Sequence, residues 1–134
     1  QIGDIRNLPY EKNKFDTIIL MWSVFMEIVD EEEQIKAIKE MLRVLDDKGK
    51  VIIELPIPYK IGTKIEDKKF GDSIEIKKNN VIVGKLSGIE HMPAFRHDKK
   101  SLTNLMIKNK IKKFKIYYQE FGGRKRMFLE FWKN

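Results

Sequence analysis

Hydrophobic positions along this chain change period several times, and each change predicts an element. Residues 15–22 (Phe-Asp-Thr-Ile-Ile-Leu-Met-Trp) are apolar almost without interruption after Asp16, as in a strand buried on both faces. Asp30 then offers a helix cap, Glu33 completes a capping box, and Glu31–Glu33 suit the positive end of the helix dipole. Behind the cap Ile35, Ile38, Met41, Leu42 and Leu45 recur at helical spacing, opposite Lys36, Lys39, Glu40 and Arg43. Asp46-Asp47-Lys48-Gly49 ends the helix, with Gly49 free to take the positive φ of a terminator. Residues 50–55 (Lys-Val-Ile-Ile-Glu-Leu) form a second apolar strand, closed by Pro56 and Pro58. Strand, amphipathic helix and strand joined by short turns predict a βαβ unit with a parallel sheet and a right-handed crossover.

The stretch 59–98 has a different character. Residues 73–76 and 81–86 flank Lys77-Lys78-Asn79-Asn80, the pattern of a hairpin with a four-residue turn. With no long helical period, it reads as an excursion from the sheet. A second helix follows over 99–110, capped by Asp98 or Ser101, with Leu102, Leu105 and Met106 facing inward. Phe114, Ile116 and Tyr118 then alternate with Lys113, Lys115 and Tyr117. Gly122-Gly123 allows a tight reversal, and Met127, Leu129 and Phe131 alternate on the return. Strands joined so closely are antiparallel. The expected class is α/β.

Composition narrows the picture. At 134 residues the chain holds one core. Its 42% apolar content exceeds that of a disordered chain. No run approaches the roughly 20 apolar residues of a membrane span, and nothing resembles a signal peptide, so the expected location is cytoplasmic. The absence of Cys removes disulfides and thiolate metal sites. Charge is uneven: residues 1–96 carry 16 basic and 17 acidic side chains, residues 97–134 carry 11 and 3. The net +7 therefore lies in the last quarter. A solvated Lys-rich surface is the first reading of that excess, and an anionic partner the second.

Gly3-Asp4-Ile5-Arg6-Asn7-Leu8-Pro9-Tyr10, then Phe15-Asp16 opening a buried strand, then Met41-Leu42-Arg43-Val44-Leu45 before a Gly turn and another strand, resembles the class I S-adenosylmethionine-dependent methyltransferases. Each piece alone is common; five in order over 50 residues are specific. The resemblance covers nearly the whole chain but only the second half of the family's domain. It implies a doubly wound, mostly parallel, Rossmann-like sheet ending in an antiparallel C-terminal hairpin. The implied division is residues 1–57 as the second half of the cofactor-binding core, 58–98 as an inserted hairpin covering substrate, and 99–134 as the closing helix and strand pair. The family's Gly-rich cofactor loop is absent, since no G-x-G-x-x-G runs through the eight glycines. With Gln1 rather than Met at the start, the expectation is a fragment whose partner strands precede it. The strand from Phe15 then becomes an edge, and the expected partner is the missing N-terminal half or a second copy.

The resemblance also implies where S-adenosyl-L-methionine would sit. Ligands of doubly wound sheets lie beyond the carboxyl ends of the strands. Asp4 corresponds to the family aspartate that accepts from the adenine amino group, and the Ile5 N–H to the donor for a ring nitrogen. A carboxylate accepts only, so it selects an amino group over a carbonyl. Met21, Trp22 and Ser23 fall at the strand exit, facing the methionine portion, and Val24, Phe25 and Met26 come next, facing the methyl donor. Phe25, Tyr59, His91 and Arg96 are candidate contacts for a small-molecule acceptor, with Phe95 and Glu27 nearby and Asp16 structural. Methyl transfer from a sulfonium depends on alignment and exclusion of water, so no catalytic residue is assigned; His91 is the base candidate, although a surface role is the plainer reading. His91 and His97 lack a converging register, so no metal site is expected.

Two other classes remain open. One is a non-catalytic partner subunit that keeps the fold. The other is a nucleic-acid-binding or RNA-directed protein using Lys108, Lys110, Lys112, Lys113, Arg124, Lys125 and Arg126, whose binding would fall steeply with salt. The methyl acceptor is not named by any motif.

Overall fold

The computed structural model describes residues 3–67, 69, 71–87, 89–121 and 123–133. The predicted βαβ unit is present. Strand β1 (Phe15–Leu20) leads through a 3₁₀ turn (Val24–Glu27) into helix α1 (Glu31–Val44), and the chain returns as β2 (Leu45–Pro56), parallel to β1. Asp30 caps α1 by accepting from the Glu33 N–H at 3.0 Å. The expected reciprocal half of the capping box is replaced, because the Glu33 carboxylate reaches Arg6 instead.

Gly49 corrects an expectation. It lies inside β2, and its φ is not positive. Between the Phe15–Leu45 and Thr17–Lys50 pairs, β1 advances two residues while β2 advances five. This bulge presses Gly49 against its neighbours. A Cβ there would lie 2.8 Å from the Asp16 carbonyl and 2.8 Å from a Leu45 methyl. Glycine is required for close approach, not for termination.

Segment 59–98 forms a separate antiparallel sheet of β3 (Lys64–Asp67), β4 (Asp72–Ile76), β5 (Val81–Leu86) and β6 (Ile89–Phe95), paired in chain order. The β4–β5 hairpin has the expected four-residue turn, closed by Lys77 N–H to Val81 O at 2.8 Å. Helix α2 (Lys99–Lys108) follows, with a capping box between Asp98 and Ser101. It ends two residues earlier than expected. Lys110 takes φ 57°, and the Lys110 and Ile111 N–H groups return to the Ile107 and Met106 carbonyls at 2.9 Å each, a Schellman termination without glycine. Strands β7 (Phe114–Phe121) and β8 (Arg124–Trp132) close the chain. Gly123 has φ 72°; Gly122 of the expected reversal lies outside the described residues.

The first sheet runs β1-β2-β8-β7, with β8 antiparallel to both neighbours. Ile38 and Met41 of α1 and Leu102, Leu105 and Met106 of α2 share one core with Ile53 and Leu55 of β2 and Met127, Leu129 and Phe131 of β8. Among the described residues β1 pairs only with β2, so its outer edge is open. The reading of 15–22 as buried on both faces is corrected accordingly: Ile19 is 57% exposed and Trp22 85%. No helix among the described residues is long and apolar enough to cross a membrane.

Candidate functional site

Because β1 and β2 are parallel, their carboxyl ends open on the same edge of the sheet, where ligands of such folds gather. The chain leaving β1 is strained there. Trp22 and Ser23 are consecutive non-glycine residues with φ 58° and 61°, a conformation that persists only when its surroundings enforce it. The enforcement comes from Glu54 of β2, 2% exposed, whose carboxylate accepts from the Ser23 N–H at 3.2 Å. Arg126 of β8 donates from Nε to the same carboxylate and from a terminal nitrogen to the Ser23 hydroxyl at 2.7 Å.

A groove of about 820 Å³ lies beside this exit, lined by Gly3, Asp4, Ile5 and Arg6 from the opening loop, Leu20 of β1, and Val24 and Phe25 of the 3₁₀ turn. Asp4 is clamped by Arg6, through the backbone N–H at 2.9 Å, Nε at 2.9 and 3.0 Å, and a terminal nitrogen at 2.7 Å. These side-chain and backbone hydrogen bonds lower the Asp4 carboxyl to about 2 and raise the Arg6 guanidinium further. Arg6 also reaches Glu33 at 3.0 Å. The loop is held from its far end by α1. Glu40 accepts from the Leu8 N–H at 3.0 Å, and Arg43 donates to the Leu8 and Tyr10 carbonyls at 2.9 and 2.8 Å. The polar face of α1 thus fixes the loop that carries Asp4.

On the other side of the 3₁₀ turn is a smaller pocket of about 280 Å³ between the two sheets. It is lined by Ser23, Met26, Leu55, Pro56, Ile57, Pro58 and Tyr59, with Ile74, Ile82, Phe95, Arg96 and His97 opposite. Arg96 donates to Asn80 at 2.8 Å and Asp98 at 2.7 Å, and its Nε is buried without a partner. His97 is 4% exposed, and neither ring nitrogen has a partner. Its ring centroid lies 5.3 Å from Phe25 and 4.8 Å from Phe95. Burial lowers its pKa to about 4, with Asp98 opposing the shift and Arg96 adding to it. The imidazole is neutral at physiological pH.

The sequence-derived candidates are therefore divided between places. Asp4, Ile5 and Phe25 line the groove. Ser23, Met26, Tyr59 and Arg96 line the smaller pocket. Met21 and Trp22 line neither, and Trp22 faces solvent. His91 is exposed in a third depression of about 490 Å³ across β3–β6, with Lys64, Glu66, Ser73 and Lys85. Its Nδ1 lies 2.9 Å from the Met92 carbonyl. Sequence reasoning gives Glu54 no site role, His97 only a rejected metal role and Arg126 only a place on a candidate nucleic-acid surface, and puts none of them at these cavities. The available signal was a histidine directly after an Arg in an apolar setting, Phe95-Arg96-His97. No group of three metal-ligating side chains occurs among the described residues.

Much of the C-terminal positive charge is internally engaged. Lys108 pairs with Glu31 at 2.5 Å, Lys113 lies over Trp132 at 4.9 Å, Lys125 over Tyr118 at 5.6 Å, and Arg126 pairs with Glu54.

Residues 1–53 match the family model described as a methyltransferase domain. No curated protein matches the chain. Among solved structures, the chain is similar to the PH0226 protein of Pyrococcus horikoshii, with 21% identity and a TM-score of 0.58, covering 98% of this chain and 61% of that one. An S-adenosylmethionine-dependent methyltransferase from Clostridium acetobutylicum is 14% identical with a TM-score of 0.66, covering 100% of this chain and 64% of that one. CalS10, an amino pentose methyltransferase of Micromonospora echinaspora bound to S-adenosylmethionine, is 12% identical with a TM-score of 0.63, covering 96% and 62%. The chain spans less than two thirds of each of these structures. The first 53 residues thus match a methyltransferase domain, and the chain has a fold shared with S-adenosylmethionine-dependent methyltransferases of known structure.

Proposed function

We propose that the chain forms part of an S-adenosyl-L-methionine-dependent methyltransferase acting on a small-molecule acceptor. The carrying observation is the arrangement of two cavities on either side of one 3₁₀ turn: an open groove with a fixed carboxylate, and a narrower apolar pocket whose His97 ring packs against Phe25 of the groove. The groove fits one side of such a cofactor. Asp4, ionised and immobilised by Arg6 through three N–H groups, has one lone-pair site left for an amino group, and Leu20, Val24 and Phe25 offer apolar surface. The bound cofactor supplies an electrophilic methyl group on a sulfonium. The chain aligns the acceptor against it and keeps water out.

In this reading residues 1–57 form half of the cofactor core, 58–98 the cover over the acceptor, and 99–134 the closing helix and hairpin. The open edge of β1 receives the strands that carry the Gly-rich loop. An amino pentose methyltransferase and a sugar N-methyltransferase among the structures of similar fold support a small-molecule acceptor.

Calorimetric titration with S-adenosylhomocysteine tests this, on the 134-residue chain and on the same chain joined to the polypeptide encoded before it. Saturable binding by the longer protein, weakened about tenfold by Asp4→Ala, is expected from loss of one hydrogen bond to a charged group. Absence of binding to the longer protein rejects the reading.

A further inference from the structure

We propose that His97 recognises the methyl acceptor, and that the acceptor is a small, largely apolar ring compound bearing a hydroxyl group rather than a polyhydroxylated sugar. The inference rests on the methyltransferase reading and deepens it by naming a substrate class.

The first ground is an unmet polar demand. Buried imidazole nitrogens ordinarily have hydrogen-bond partners; those of His97 have none, and the residue lines the pocket. Phe25 and Phe95 hold the ring from two sides, tilted 31° and 53° to it. The ring is thereby positioned without any polar contact to fix it. A neutral imidazole has one nitrogen that accepts and one that donates, and the lowered pKa keeps it in that form.

The second ground is what the pocket lacks. Its lining is mostly aliphatic or aromatic. The Ser23 hydroxyl is engaged by Arg126, and the Arg96 terminal nitrogen by Asn80 and Asp98. Among the buried polar side-chain atoms of the lining residues, those without a partner are the two His97 nitrogens and Arg96 Nε, and half-exposed Tyr59 adds one hydroxyl. A sugar would strand several hydroxyls against Leu55, Ile74 and Ile82, each a desolvated group without a partner. A single hydroxyl donates to His97 and accepts from Arg96 Nε. An ammonium would meet the Arg96 guanidinium, so a neutral hydroxyl is favoured. At about 280 Å³ the space suits a single ring.

The test follows the His97 ring nitrogens by NMR in the full chain, with p-cresol, toluene and glucosamine as probes and S-adenosylhomocysteine as a separate titrant. The expected result is a saturable shift of the His97 ring signals by p-cresol, with toluene binding about tenfold more weakly. His97→Phe should bind the two equally, and His97→Gln, which keeps a donor and an acceptor, should retain part of the preference. The wild-type measurement stands even if a variant fails to fold. Unmoved His97 signals, glucosamine binding more tightly than p-cresol, or a preference retained in His97→Phe would each overturn the proposal. S-adenosylhomocysteine shifting the Asp4 and Ile5 amides while p-cresol leaves His97 unmoved rejects this inference alone. Failure of S-adenosylhomocysteine to bind, here and in the longer protein, rejects the methyltransferase reading and with it the acceptor role.

Discussion

Arg126 and Glu54 are diagonal neighbours across the β2–β8 pairing, where Glu54 lies opposite Phe128 and Arg126 opposite Pro56, and their ion pair is nearly closed to solvent on the carboxylate side. Its second task is to hold the strained Ser23 turn between groove and pocket. Removing one partner strands a buried charge, so Arg126→Met should cost about 3–4 kcal/mol. The double variant Arg126→Met/Glu54→Leu should recover part of that loss, because two well-packed apolar side chains replace both charges. Urea unfolding of the four proteins in the cycle measures this, and strictly additive losses would count against a coupled pair.

Asp4 and Arg6 form an exposed version of the same chemistry. With its carboxyl lowered to about 2 by Arg6, Asp4 should remain ionised throughout the physiological range. Side-chain carbon NMR should give a midpoint near that value, and Arg6→Ala should move it back toward about 3.9, the ordinary aspartate value. A midpoint unchanged by Arg6→Ala would show that the clamp is not the cause.

His97 makes stability depend on pH in a defined window. An unfolded histidine titrates near 6.5, whereas burial lowers the folded value to about 4. Protons therefore bind the unfolded chain first as pH falls. The stability held above pH 6.5 should decline through the interval and be about 3 kcal/mol lower below pH 4 on this account alone. The facing charges are Asp98, which favours the protonated ring, and Arg96, which opposes it. Denaturant melts between pH 7 and 4 should show this loss in the wild type and a shallower one in His97→Phe. Parallel curves would remove His97 as the source.

The contrast between Asp30 and His97 shows which features are legible in the sequence. Asp30, the helical stripe from Ile35 to Leu45 and the alternation of Met127, Leu129 and Phe131 are local patterns. Local periodicity together with one burial direction fixes an element. Strands β3 and β6 are polar and short or carry Pro93, and they exist through partners across the sheet, so no window of sequence announced them. The sequence pattern marks Gly49 as a helix terminator, whereas its constraint comes from Asp16 on another strand and from Leu45. The groove residues Asp4 and Ile5 were legible through motif order. The pocket was not, because a histidine becomes buried and unpartnered only when Phe25, Phe95 and a second sheet enclose it.

The open edge of β1 leads to a last expectation. Its outer backbone groups have no strand partner among the described residues, and Ile19 and Trp22 expose apolar surface beside them. Unprotected edges of this kind template association, and natural proteins blunt them with charge. The 134-residue chain should therefore self-associate as concentration rises, and Ile19→Lys should shift it toward monomer without lowering its helix content. Sedimentation velocity with circular dichroism tests both parts. Joining the chain to the strands proposed to lie beside β1 should have the same effect as the lysine, because it fills the edge instead of repelling a neighbour. A wild-type chain that remains monomeric at the highest concentration reached would show that this edge is protected by something other than a strand.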